Sequence, residues 1–198
     1  MQQLKIEFCK NPLRTLVKNA KPEDGSVLGF WGFGILGFWS FGVILGMVPG
    51  SFSIRVYGIL IEDNRILITD EFRLNTYMTK FPGGALEFGE GTVDCLKREF
   101  KEELGMEIEH IEHFYTTDFF QQTELLPKNM QLINIYYRVR GIKPYRFVTR
   151  QNRYDFPEIV EGAQSFRWFP LDQLTPEEMT LPIDKRVVPM ILNVLKNE

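Results

Sequence analysis

Three glutamates, Glu99, Glu102 and Glu103, stand three and four residues apart in a stretch with helical apolar periodicity. On a helix that spacing brings their carboxylates together on one sector, next to the apolar sector of Val93, Leu96, Phe100 and Leu104. Like charges so placed repel one another by about a few tenths of a kcal/mol per pair. Arg98 and Lys101 read as lying on other faces, where they do not directly neutralise the trio. A divalent cation would. Magnesium takes carboxylate oxygens and shares its shell with substrate phosphates and water. For the trio taken alone, a solvated acidic face is the commoner meaning.

The residues ahead of the trio shift that balance. Pro82-Gly83-Gly84 breaks the chain just before the helix, and Gly89 and Gly91 frame Glu90. Glycines there let backbone groups approach a metal or a phosphate closely, although a plain tight turn uses them as well.

Residues 81–106 read FPGGALEFGEGTVDCLKREFKEELGM. Gly84, five residues, Glu90, seven residues, then Arg98-Glu99-Phe100-Lys101-Glu102-Glu103-Leu104-Gly105-Met106 matches the Nudix box without departure. That signature is Gly-x5-Glu-x7-Arg-Glu-U-x-Glu-Glu-x-Gly-U, with Phe100 and Met106 at the bulky U positions. At average residue usage its fixed positions match by chance with a probability of roughly 10⁻⁷ over such a chain, so coincidence is set aside.

The chain therefore resembles the Nudix hydrolases, and the resemblance implies an α/β fold, an α/β/α sandwich around a mixed sheet. It also implies hydrolysis of a diphosphate bond in a nucleoside diphosphate linked to another group X, or in a nucleoside triphosphate, with Mg2+ or Mn2+. Roles follow from the same resemblance. Glu99, Glu102 and Glu103 would hold the metal, joined by a backbone carbonyl of the Pro-Gly-Gly turn at Gly84. Glu90 and Arg98 would form a structural salt bridge. The catalytic carboxylates would be Glu102 and one from a late loop, Glu161, with Glu158 behind it; exposed loop acids remain the plain alternative for both. The family's ADP-ribose and diadenosine-polyphosphate groups carry a proline or tyrosine some way past the box. Phe120-Gln121-Gln122-Thr123-Glu124 has neither, which counts against those groups.

The chemistry is coherent without the resemblance. A diphosphate is multiply anionic, so attack by water needs its charge neutralised and the nucleophile aligned, which bound metal ions supply. A nearby carboxylate taking the proton adds typically ~10²–10⁴-fold. His110 and His113, the only histidines, read as strand-edge surface, and Cys95 as a small packed residue. Arg73 and Lys80 are candidates for phosphate contacts or ordinary surface charge. Phe119, Phe120, Tyr77 and Tyr154 are candidates for stacking on a base or for packing.

These side chains need a scaffold, and the pattern from Ser51 onward supplies one. SIRVYGILI (53–61), RILIT (65–69), HFYTTDFF (113–120), QLINIYYRVR (131–140) and FRWFP (166–170) read as strands. Thr92 to Leu104 reads as a helix stopped by Gly105, and Asp184 to Asn197 as a closing helix interrupted or kinked at Pro189. With 198 residues, 44% hydrophobic and 25% charged, the chain has enough apolar content for a real core. Its 23 basic and 26 acidic residues give no bulk sign of a nucleic-acid partner. Cys9 and Cys95 form no disulfide or zinc pattern, which suits a reducing, cytoplasmic setting.

Residues 1–50 read as an appendage to a domain spanning 51–198. No charge occurs from Gly25 to Ser53, and GFWGFGIL (29–36) is followed by its near copy GFWSFGVI (37–44). The apolar run 27–48 would reach roughly 33 Å as a helix, enough to cross a bilayer. Lys5, Lys10, Arg14, Lys18 and Lys21 precede it, so a span would put the larger part of the chain on the far side of the membrane. A stretch outside the working domain is favoured, with a membrane anchor as the alternative and a signal peptide as the weakest reading. The rival functions are a Nudix-fold nucleotide-binding or sensor module and a diphosphate-ester isomerase. Loss of box glutamates would favour either, and none is lost. Substrate identity and oligomeric state are not legible at this level.

Overall fold

The computed structural model describes residues 50–122 and 125–197, all within the compact unit Gly46–Glu198. The expected appendage, with its apolar run 27–48 and Cys9, lies outside the described residues except for Gly50. The elements are β1 (Ser51–Glu62), β2 (Arg65–Arg73), β3 (Thr76–Lys80), β4 (Gly83–Ala85), α1 (Thr92–Leu104), β5 (Ile108–Thr116), β6 (Met130–Gly141), β7 (Ala163–Pro170) and α2 (Pro182–Asn197). Among the described residues no helix is long and apolar enough to cross a membrane.

Alternation along the strands decides the layers. Val56, Leu60 and Leu67 face one side and pack with Cys95, Leu96, Phe100 and Leu104 of α1. Tyr57, Ile59, Ile66 and Ile68 face the other and pack with Ile183, Val187, Val188 and Ile191 of α2. Apolar residues of both parities are buried because both faces of the sheet are covered, and the result is an α/β/α sandwich. The strand order is β3-β2-β1-β6-β5, with β4 also paired to β1 and β7 to β2. β1 and β6 run parallel from Ser51 opposite Met130 to Leu60 opposite Val139, and the other pairings are antiparallel, so the sheet is mixed.

Two junctions set the position of α1. The glycine at 58 leaves room for the Phe100 ring, since a Cβ there would lie 2.5 Å from it. At the other end Gly105 adopts φ 59°, and the amides of Gly105 and Met106 return to the carbonyls of Lys101 and Phe100.

β3 and β4 are additions to the elements read from sequence. Gly83–Ala85 has no side-chain pattern to announce a strand, and it forms because Gly84 falls opposite Val56 in the β1 ladder. β5 starts at Ile108, ahead of the expected segment, because this edge strand exposes Glu109, His110, Glu112 and His113 and so lacks apolar alternation. β7 likewise starts early, at Ala163. α2 starts at Pro182 and continues through Pro189 without a break; Pro189 is exposed, so its ring burdens no packed face.

Candidate active site

Arg98 is the junction of the box. Its Nη2 and Nε donate to the two oxygens of Glu90 at 2.7 and 3.0 Å, and Nη2 also donates to the Ala85 carbonyl at 3.0 Å. Its Nη1 reaches Glu99 at 2.9 Å and Glu102 at 3.2 Å. The loop before α1 is thus fastened to the helix by one guanidinium, and the paired fork holds the Glu90 carboxyl down at about 2. The expectation that Arg98 leaves the trio unneutralised is corrected here. The arginine side chain reaches beyond the face on which its Cα sits, and its fork satisfies carboxylates one and four residues ahead. Lys101 does turn away, toward Glu107.

The trio itself divides. Glu99 lies over Gly84, where a Cβ would be 2.3 Å from its Oε1 and 2.5 Å from its Oε2. Glu103 points into the interior, accepts from Gln164 Nε2 at 2.7 Å and lies 3.9 Å from Lys80 Nζ. Burial pushes its carboxyl up, against the opposing pull of Lys80 and Gln164. Glu102 is 62% exposed and, among the described residues, pairs with Arg98. The expected convergence is therefore incomplete as the side chains lie. Among the described residues no three His, Cys, Asp or Glu side chains form a group able to hold an ion. Arg98 draws two of the carboxylates and the Lys80 side draws the third.

Lys80 is buried, donating to the Gly83 carbonyl at 3.1 Å and pairing with Glu71 at 3.0 Å. Burial opposes its charge, but Glu103 and Glu71 outweigh that and hold its pKa above the ordinary value. Lys80, Glu71, Arg55 and Arg73 line a cavity of about 290 Å³ together with Met78, Leu126, Leu132 and Ile183. Arg73 is 54% exposed at its rim, 3.7 Å from Glu71, and Arg55 is held by a 2.7 Å bond to the Tyr57 hydroxyl.

Arg55, Glu71, Asn134 and Gln164 were not singled out from sequence. Arg55, a charge inside the apolar run SIRVYG, was the one visible sign; Glu71 in TDEFR and Asn134 in QLINIYY look like ordinary strand alternation. Glu161 accepts the Leu74 amide with both oxygens, at 3.1 and 3.0 Å, clamping the Leu74-Asn75 turn beside the cavity rim. Leu74 holds φ 52°, unusual for a leucine, and this clamp supports it. Glu158 is exposed on the same loop.

The four aromatic candidates stand apart from the cavity lining. Tyr77 and Tyr154 pack on each other and on Phe156, Phe119 lies under the Arg186 guanidinium, and Phe120 is exposed. His110 and His113 are exposed on β5, and burial pushes the Cys95 thiol up to about 12, far from nucleophilic.

The donor set fits a magnesium or manganese ion. Glu103 Oε2 is buried with no partner among the described residues, and Glu99 rests against backbone that only glycine leaves open. Glu102 is open to solvent. All the donors are the hard oxygens such ions prefer.

The fold and box find their counterparts among known proteins. A family model described as NUDIX domain matches residues 52–191. The chain belongs to the Nudix family of hydrolases. Among solved structures it is similar to a MutT NUDIX hydrolase from Burkholderia pseudomallei (18% identity, TM-score 0.52, 70% of this chain and 95% of that one). It is also similar to the E. coli ORF135 protein (16%, TM-score 0.55, 73% and 91%) and to a NUDIX hydrolase from Nitrosomonas europaea (15%, TM-score 0.51, 71% and 86%). At these identities the likeness is one of fold.

Proposed function

We propose that the protein is a Mg2+-dependent hydrolase, with Mn2+ able to substitute, cleaving a diphosphate bond in a nucleotide-like small molecule. That molecule is a nucleoside diphosphate linked to another group X, or a nucleoside triphosphate. The observation that carries the reading is the complete set of box carboxylates in the sequence, with Glu103 lying 3.9 Å from Lys80 in the lining of a cavity that Arg55 and Arg73 also line. Glu99, Glu102 and Glu103, with backbone at Gly84, would hold the ion, which when bound supplies Lewis acidity toward the diphosphate.

The chain's own residues do the rest. Arg98 gives up its hold on Glu99 and Glu102 while keeping Glu90, so the loop stays fastened as the carboxylates turn. Arg73 at the rim meets phosphate oxygens, and Lys80 steadies Glu103 from within while offering its remaining N–H to the substrate. Water attacks phosphorus, its proton passes to Glu102 or Glu161, and the bridging P–O bond breaks in line. Cytoplasmic residence suits such substrates and the absence of any cysteine pattern in the sequence.

The test is a panel of nucleoside triphosphates, dinucleotides and nucleotide sugars with Mg2+, its products identified by mass. Turnover of one class, lost in Glu99→Gln, supports the reading; no product from any member with either metal refutes it and leaves a binding module. Glu161→Gln and Glu102→Gln, assayed side by side, separate the two candidate bases.

A further inference from the structure

Opposite Arg55 in the β1–β6 ladder, Asn134 is 2% exposed and lines the cavity wall. Its Oδ1 has no partner among the described residues. The orientation of the amide is set by its surroundings. The Tyr136 hydroxyl donates to Asp184 Oδ1 at 2.5 Å, so its lone pair accepts, and Asn134 Nδ2 supplies the hydrogen at 3.2 Å. The backbone of Asn134 is tied on the opposite side, its amide and carbonyl both engaged by Thr117. A buried acceptor without a donor costs stability, so one kept at a cavity wall points to a donor arriving from the cavity.

We propose that Asn134 Oδ1 reads an N–H group on the edge of the substrate's nucleobase, which lies between Met78, Leu126, Leu132 and Ile183 with its diphosphate toward Lys80 and Arg73. The inference rests on the nucleotide part of the function proposed above. The walls choose a base over a sugar. A base keeps its polar groups on the rim and turns two apolar faces to the leucines, whereas sugar hydroxyls there would lose water without gaining partners. An acceptor facing an N–H also discriminates strongly, because the wrong ligand leaves both groups buried and unpaired.

The experiment titrates the full chain by NMR with uridine, cytidine, guanosine, adenosine and ribose. The N-methylated counterparts, 3-methyluridine, N4,N4-dimethylcytidine, 1,N2,N2-trimethylguanosine and N6,N6-dimethyladenosine, follow. At least one nucleoside should bind, with ribose and that nucleoside's methylated counterpart each at least tenfold weaker. Asn134→Leu and Asn134→Ala should erase the preference over the methylated form. Failure of every nucleoside to bind, equal binding of parent and methylated forms, or a preference that survives in Asn134→Leu would each overturn the proposal. If neither variant folds, the comparison of parent and methylated nucleosides on the unaltered chain decides alone. Nucleoside binding needs no turnover, so a chain that binds nucleosides but hydrolyses nothing fails as a hydrolase only. One that hydrolyses diphosphates without binding any nucleoside fails this proposal only.

Discussion

Alanine at Gly84 would put a methyl carbon 2.3 Å from Oε1 and 2.5 Å from Oε2 of Glu99. Ordinary contact needs about 1 Å more, and the carboxylate, as the free end of a side chain, is the group that yields. Its retreat breaks the 2.9 Å bond to Arg98, a loss of about 1 kcal/mol, and moves a proposed ligand by the same ~1 Å. Misplacement on that scale costs roughly 10²-fold in rate, whereas a loss of about 1 kcal/mol lowers the melting temperature of a domain this size by only about 2–4 °C. Alanine at Gly83 behaves oppositely. Its Cβ would lie 2.2 Å from the Val56 carbonyl and 2.9 Å from the Tyr57 Cα, both backbone atoms of β1, and its φ of 131° is closed to alanine. That strand cannot step aside, so a loss above about 3 kcal/mol is expected, or roughly 6–12 °C. Thermal unfolding and initial rates on both variants make the comparison. A Gly84→Ala protein with parental turnover would show that Glu99 is not required in its place over Gly84, and the assignment of Glu99 would fall.

Four further outcomes follow from the same contacts. Arg98→Ala should lower melting temperature and turnover together, and Arg98→Lys should rescue neither fully, since one ammonium cannot replace the fork; a variant as stable as the parent removes the junction from the account. Lys80→Met strands the buried Glu71 and should cost about 3–5 kcal/mol in denaturant unfolding, much of it regained in Lys80→Met with Glu71→Gln; additive costs would refute the coupling. Burial pushes the Asp184 carboxyl from 3.8 up to about 6, so the folded form holds the proton more tightly than the unfolded one. Stability should therefore fall as pH rises between those two values, by an amount on the order of 3 kcal/mol, and Asp184→Asn should flatten that slope in melting curves. A chain shortened to begin at Met47 should fold and keep its turnover, and an insoluble product would make residues 1–46 part of the domain.

The box was readable because its meaning lies in fixed spacing along one helix, where side-chain neighbours follow from the 3.6-residue turn. Gly105 stopped α1 where its left-handed conformation requires, and Phe100 and Met106 entered the core. What escaped was set across the sheet. Nothing local in TDEFR says that Glu71 will be buried against Lys80, because that depends on β3 lying beside β2. Asn134 reaches the cavity only through the pairing of β6 with β1. Tyr77 and Tyr154 took the packing alternative, finding each other outside the cavity, whose lining holds Tyr57 among its aliphatic side chains.

The parallel pairing of β1 with β6 has a consequence for how the protein is made. Every partner on β6 lies far downstream, Ser51 meeting Met130 and Leu60 meeting Val139, and the whole box is contained in the intervening loop. A ribosome therefore releases β1 and the acidic helix well before the strand that completes the sheet between them and β5. Until then one edge of β1, with the apolar residues Val56 to Leu60, is open to other chains. Contacts so distant in sequence close slowly, and a helix of 13 residues is marginal by itself in water. The box is accordingly not a portable module. Its carboxylates acquire their geometry in the last part of folding, after residue 141 has been synthesised, and a nascent chain stalled earlier carries the full signature with no site.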